Sequence, residues 1–284
     1  MKFDVIISNP PYNGENKGTG GGSGKPIWQK FVLEAYKSLN NKGYMCFVHP
    51  DDWRKYYESP IEFSAFKGIG VSADWYLFQN GRNGNSKIFY PDGTVFNGKL
   101  VKKNYPILRI HPDCLINKIF DKVINVKDNG IILNPPGWER TSLKIEKDSK
   151  YKLAHGSRWI KNEWICSNIP HKHQFEKKVI LCALREPRSK YFSEIDKIGI
   201  SEGVHYFLPK TESFGKSISA LINSKLIMKL RESIMDPLKI SPHTPFWFWR
   251  CLNIEGIEGL TTDEEFYKHF KLTEEEIKLI EIRN

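Results

Sequence analysis

Residues 9–12 read Asn-Pro-Pro-Tyr and place two hydrogen-bond acceptors and a flat ring within four positions. That combination suits one kind of chemistry. An amine attached to an aromatic ring is a poor nucleophile, because its lone pair is delocalised into the ring. Two acceptors on its two N–H bonds draw the nitrogen toward a tetrahedral shape and aim the lone pair outward. The side-chain oxygen of Asn9 can be one acceptor and the main-chain carbonyl of Pro10 the other. Pro10 and Pro11 fix φ and bring no N–H that would compete for the substrate. Pro10 also restricts Asn9 to extended conformations, so the acceptor pair is in place before substrate arrives. Tyr12 adds a face on which a planar group can stack.

Such a site needs a rigid support. Residues 3–8, Phe-Asp-Val-Ile-Ile-Ser, are an apolar run that ends at the double proline and read as a buried strand. Pro26 opens a helix whose apolar face is Ile27, Phe31, Leu33, Ala35, Tyr36 and Leu39, and residues 40–43 close it. Strands are expected at 44–49 and 71–79, with turns at 81–86 and 91–93 and a further sheet edge at 106–110. Alternating strand and helix builds an open α/β sheet, whose ligands bind outside the carboxyl ends of the strands. From about residue 111 the chain becomes irregular, aromatic and basic. Strands are expected at 178–183 and 204–208, one helix over 217–232, and a pair of short acidic helices over 262–282.

The 284 residues are 40% apolar and 27% charged, as in globular proteins. No apolar run is long enough to span a bilayer and no signal peptide opens the chain, so the expectation is a cytoplasmic protein without membrane contact. Five widely spaced cysteines without a C-x-x-C pair fit reduced thiols and no zinc site. The net charge of +10 is concentrated: residues 140–231 hold 19 Lys and Arg against 9 Asp and Glu, whereas residues 253–284 hold 9 acidic against 4 basic. A basic middle with interleaved aromatics fits a polyanion such as DNA, and equally a solvated basic face.

The segment Asp-Val-Ile-Ile-Ser-Asn-Pro-Pro-Tyr resembles the catalytic motif of amino-group methyltransferases, above all the adenine-N6 DNA enzymes of restriction–modification type. The resemblance implies that Asn9, Pro10, Pro11 and Tyr12 hold an adenine extruded from the duplex, and that S-adenosylmethionine is the methyl donor. Stacking of the base on Tyr12 would contribute roughly 1–3 kcal/mol, and extrusion is required because a stacked base cannot reach the site. Residues 66–77 are similar to the family segment in which an aromatic closes over the flipped base, which makes Phe66 a second stacking face; its alternative is a core position with Phe63. Residues 203–207 and 221–226 resemble the DNA-recognition domain of these methylases, and residues 262–281 resemble their end. In the family, a glycine-rich loop and an acidic residue hold the cofactor ahead of this motif. Neither is recognisable here, so a second subunit or an N-terminal segment is expected to supply the cofactor site.

Three segments imitate other sites. Residues 18–26 fail as a phosphate loop, because Thr19 and Pro26 stand where a glycine and a Ser or Thr are required; a mobile loop beside Asn9 and a plain connector both remain open. His171 and His173 lack a third ligand and read as a solvated or DNA-facing pair. The Phe-Trp-Phe-Trp alternation at 246–249 reads as a half-buried core strand. A second Asn-Pro-Pro at 134–136 is followed by Gly137 and reads as a turn.

The fold expected is α/β: a partial Rossmann-like methyltransferase sheet over 1–110, a mixed α/β target-recognition domain over 111–252, and an acidic helical tail over 253–284. Its partner is double-stranded DNA, with Arg140, Arg158, Lys161, Arg185, Arg188 and Lys190 as candidate contacts and no metal. The rival readings are a DNA-binding specificity module with no activity of its own, and a protein-glutamine or ribosomal-RNA methyltransferase.

Overall fold

The opening apolar run forms β1 (Phe3–Ser8), which pairs in parallel with β2 (Leu39–Pro50) across the helix α1 (Trp28–Ser38). The computed structural model describes residues 1–12, 27–50, 62–65, 73–81, 85–90, 93–99, 103, 108, 111–130, 149–182, 188–201, 203–234, 244 and 246–282. They fall into two compact units, Met1–Asp113 and Cys114–Asn284.

In the first unit the sheet continues with β3 (Glu62–Ala65), β4 (Ala73–Gln79), β5 (Ser86–Phe89) and β6 (Val95–Gly98), in the spatial order β1-β2-β4-β3-β5-β6. Only β1–β2 and β3–β5 are parallel; β2–β4, β3–β4 and β5–β6 are antiparallel. The unit is thus mixed α/β. The strand–helix alternation holds for β1-α1-β2 and gives way to antiparallel pairing after it. Gly93, with φ 84°, makes the β5–β6 turn, where its N–H donates to the Tyr90 carbonyl.

The helix buries only part of the face expected, since Ala35 and Leu39 reach the core. Trp28 is buried, Val32 and Ala35 pack on the same core, and Phe31, Leu33 and Tyr36 are exposed. Trp28, Val32 and Ala35 stand four and three residues apart, which is one helix face. They cover Met45, Phe47 and Phe78 on one side of the sheet. The opposite side of β1 is open: Val5 is 56% and Ile7 78% exposed. The expectation of a buried strand is therefore corrected, since only one of its faces is covered. Period-two alternation sends Ile6 to the core under α1 and its neighbours outward.

The helix also ends earlier than residues 40–43, because Leu39 already belongs to β2. A register shift follows, with Phe3 opposite Leu39 but Val5 opposite Tyr44. Lys42 takes φ 65°, and Asn80 straps the bulge by receiving the Lys42 N–H at 3.1 Å and donating to the Gly43 carbonyl at 2.9 Å.

In the second unit β9 (Lys178–Cys182) runs between β10 (Ser189–Phe192) and β12 (Val204–Phe207), all antiparallel. A second small sheet has β7 (Tyr151–Ala154) between β8 (Ile165–Ser167) and β11 (Gly199–Ile200). The two share one core containing Ala154, Trp159, Ile180, Phe192, Ile200 and Tyr206.

Helices make up the rest: α2 (Leu115–Val123), α3 (Glu212–Asn223), α4 (Lys225–Ile234), α5 (Phe246–Arg250), α6 (Asp263–His269) and α7 (Glu274–Glu281). The single helix expected over 217–232 is two. The Ser224 hydroxyl donates to the Leu221 carbonyl at 2.6 Å and accepts the Ile227 N–H, ending one helix and starting the next. Residues 246–250 are a helix and not a strand, though Phe248 and Trp249 do lie in the core. The acidic pair α6 and α7 each open on a capping box, Thr262 with Glu265 and Thr273 with Glu276.

Candidate active site and basic surface

Ser8 is the last residue of β1 and sits opposite Phe47, so Asn9 emerges at the carboxyl end of a strand in a parallel pair. The four residues that follow divide sharply. Asn9 and Pro11 are exposed, Pro10 is buried and Tyr12 is half-buried. The Tyr12 carbonyl accepts the Ile27 N–H at 3.0 Å, which ties the exit of the motif to the start of α1. The motif is therefore anchored at both ends, by the β1–β2 ladder before it and by α1 after it. Asn9 is exposed at this strand end. Burial pushes the Tyr12 phenol above its ordinary pKa, which keeps the ring neutral at physiological pH.

The strand's own acid does other work. Asp4 accepts the Asn40 side-chain N–H at 2.8 Å, fixing the start of β1 to the bulge of β2. It stands five residues from Asn9, roughly 16 Å away along a strand rising about 3.3 Å per residue. Among the described residues of this unit, no glycine turn and free carboxylate meet at the carboxyl end of β1. The described residues alone thus do not fit S-adenosylmethionine. Phe66 and residues 18–26 lie outside the described residues, as do Arg140, Arg185 and the second Asn-Pro-Pro.

The basic candidates that are described all lie in the second unit and are all exposed. Arg158 and Lys161 begin and end a 3-10 turn (Arg158–Lys161) that follows β7. Three residues per turn put them on the same side. Lys190 stands on β10 with its Nζ 5.2 Å from the centre of the Phe192 ring. Trp159 of the turn packs edge-on to that same ring at 6.2 Å, and Trp164 does so at 6.0 Å. Phe192 therefore links the turn, through Trp159, to β10, which carries Lys190. Arg188 precedes β10, and its carbonyl receives the Cys182 N–H at 3.0 Å.

The aromatic residues that organise this cluster escaped the sequence reading, although Arg-Trp-Ile-Lys-Asn-Glu-Trp at 158–164 carries the signal of alternating bases and rings. The reading of His171 and His173 is corrected. His171 is buried, with its ring 5.5 Å from Tyr206 and 5.8 Å from His173, while His173 Nδ1 lies 2.8 Å from Glu176 Oε1. Ring packing on β12 buries His171 and leaves His173 half-buried. Among the described residues no three His, Cys, Asp or Glu side chains gather as metal ligands, and no helix is long and apolar enough to cross a membrane.

Residues 1–67, which include the motif and β1-α1-β2, match the family model of the Eco57I restriction-modification methylase. A stretch of 54 residues, 19% of the chain, is 48% identical to an uncharacterized adenine-specific methylase of Mycoplasma pneumoniae. That stretch spans 12% of the relative's length. In its first quarter the chain is thus similar to DNA methylases of restriction–modification type.

Proposed function

We propose that this chain is the amine-holding and DNA-reading part of a site-specific DNA methyltransferase acting on the N6 amine of a flipped adenine. The observation that carries the reading is exposed Asn9 beside buried Pro10 at the carboxyl end of β1. It lies within the stretch similar to restriction–modification methylases. Asn9 Oδ1 accepts one N–H of the adenine amine and the Pro10 carbonyl accepts the other, which localises the nitrogen lone pair for attack. Pro11 holds the turn and Tyr12 stacks on the base, with Phe66 as the opposite face. The fused rings of an extruded adenine are large enough to use both faces.

S-adenosylmethionine, the donor methylases generally use, supplies the methyl group. The glycine-rich loop and acid that hold the cofactor in the family are not recognisable in the sequence, which supports a cofactor-binding half supplied by a further segment or a second subunit. The apolar outward side of β1, with Val5 and Ile7 exposed, supports this assignment. The second unit supplies duplex binding through its basic surface.

The test is methyl transfer to duplex DNA by the chain reconstituted with a cofactor-binding half, with the product base identified by mass spectrometry. N6-methyladenine is expected; a methylated protein or ribosomal RNA in its place overturns the reading. A second reading, a specificity module without activity, is favoured by the poor cofactor fit. It predicts sequence-selective DNA binding and no methyl transfer under any reconstitution.

A further inference from the structure

We propose that Arg158, Lys161 and Lys190 form a single phosphate clamp for the backbone of duplex DNA, set in its bound geometry before DNA arrives by Trp159, Trp164 and Phe192. This deepens the reading above and rests on it. The reasons lie in how the turn is built. Its backbone is satisfied internally: Arg158 N–H donates to the His155 carbonyl at 3.1 Å, Asn162 N–H to Trp159 at 3.0 Å, and Glu163 N–H to Arg158 at 3.1 Å. Asn162 closes it in the left-handed conformation, φ 58° and ψ 25°. Trp159 is 3% exposed and is part of the core shared by the two small sheets, so the turn is pinned from below.

A 3-10 turn with its middle ring buried turns its two ends outward together. Those ends are a guanidinium and an ammonium, and the third charge, Lys190, comes from β10 through the ring that the turn itself packs on. Both long cations of the turn therefore project from a backbone that loses little entropy on binding, which favours contact with a fixed array of phosphates. The turn itself, Arg-Trp-Ile-Lys, carries no acid, and exposed Glu163 follows it. Arg158 suits a bidentate grip on one phosphate, and the two lysines act as point charges on its neighbours.

The test uses the full chain and a fluorescein-labelled duplex, with affinity followed against salt. Each phosphate contact contributes about −0.9 to the slope of log K against log salt. Arg158→Gln, Lys161→Gln and Lys190→Gln should each make the slope shallower by about that amount and weaken binding several-fold at a fixed salt concentration. Lys190→Arg should restore the wild-type slope. Lys268→Gln, which removes an exposed charge from α6, should change neither. All four lysine and arginine positions are exposed, so the variants keep the fold.

Wild-type binding with a steep slope that the three clamp variants leave unchanged overturns the clamp while the DNA reading stands. Equal losses in Lys268→Gln and the clamp variants overturn it as well, in favour of a diffuse charge effect. A wild-type chain that binds no duplex overturns both the clamp and the DNA reading.

Discussion

Asn9 acts, in this proposal, through one oxygen on one N–H bond, and that makes its variants sharply diagnostic. Asn9→Ala removes the acceptor from an exposed position, so neither fold nor DNA affinity should change. Methyl transfer by the reconstituted enzyme should fall by about 10²-fold or more, the usual cost of losing one preorganised electrostatic partner. Asn9→Asp still accepts a hydrogen bond and should retain measurable activity. Full activity in the Ala variant would remove Asn9 from the chemistry. Lys178 gives a second prediction, about stability. It is fully buried on β9, its ammonium donates to the Glu176 carbonyl, and burial lowers its pKa to about 8 against the pull of Glu176, Asp196 and Glu194. The unfolded chain keeps the ordinary value of 10.5. Between pH 8 and 10.5 the unfolded state therefore binds more protons, and stability of the second unit should rise with pH across that window. Denaturant midpoints at pH 7.5 and 9.5 should show the increase in the wild type. In Lys178→Met the rise should vanish; its persistence would assign it to another group.

At the scale of elements, what could be read from the sequence was what local pattern decides. The apolar run before the double proline, the parallel return through α1, the turn at Gly93 and the two capped acidic helices all follow from periodicity and cap chemistry. What escaped was set by pairing at a distance. Phe31, Leu33 and Tyr36 are as apolar as Trp28, Val32 and Ala35 but spread around the helix, so several faces of it compete for the core. The choice between them depends on where β2 lies beneath the helix, and that depends on a bulge at Lys42 that no local rule demands. The helix at 246–250 has strand-like alternation, yet its end is tied to the segment that follows α2, with Asn129 N–H donating to the Arg250 carbonyl at 2.8 Å. His171 and His173 looked solvated because their partner, Tyr206, lies far along the chain. At the Asn9 site the exit of a strand into the double proline was legible, while the support given to Tyr12 by Ile27 was not. The bulge itself is testable. A Cβ on Gly43 would stand 3.0 Å from both the Asn40 and the Asp4 carbonyl oxygens, and backbone atoms cannot step aside. Gly43→Ala should cost about 1–3 kcal/mol and displace the start of β1, lowering the thermal midpoint. An unchanged midpoint would mean that β1 and β2 tolerate a wider register than the ladder implies.

On the scale of the whole molecule, charge and missing chemistry point the same way. The positive excess of the chain is accounted for by residues 140–231, which belong to the second unit, whereas the Asn-Pro-Pro-Tyr motif belongs to the first. DNA affinity and cofactor affinity should therefore separate cleanly in the chain by itself. Duplex binding needs only the basic surface, and its affinity should fall steeply as salt rises, because every neutralised phosphate releases counterions. Cofactor binding needs a nest for the methionine part and an acid for the ribose. The one acid on β1 is already committed to Asn40. Calorimetry with S-adenosylmethionine should accordingly show little or no heat with residues 1–284, and binding should appear when a cofactor-binding half is added. Exposed Val5 and Ile7 give that half an apolar strand to cover, so Ile7→Lys should abolish the restored cofactor binding while leaving duplex affinity at its wild-type value. Tight S-adenosylmethionine binding by the chain alone would relocate the cofactor site to its own residues. Restoration that is indifferent to Ile7→Lys would move the docking of the second half away from β1.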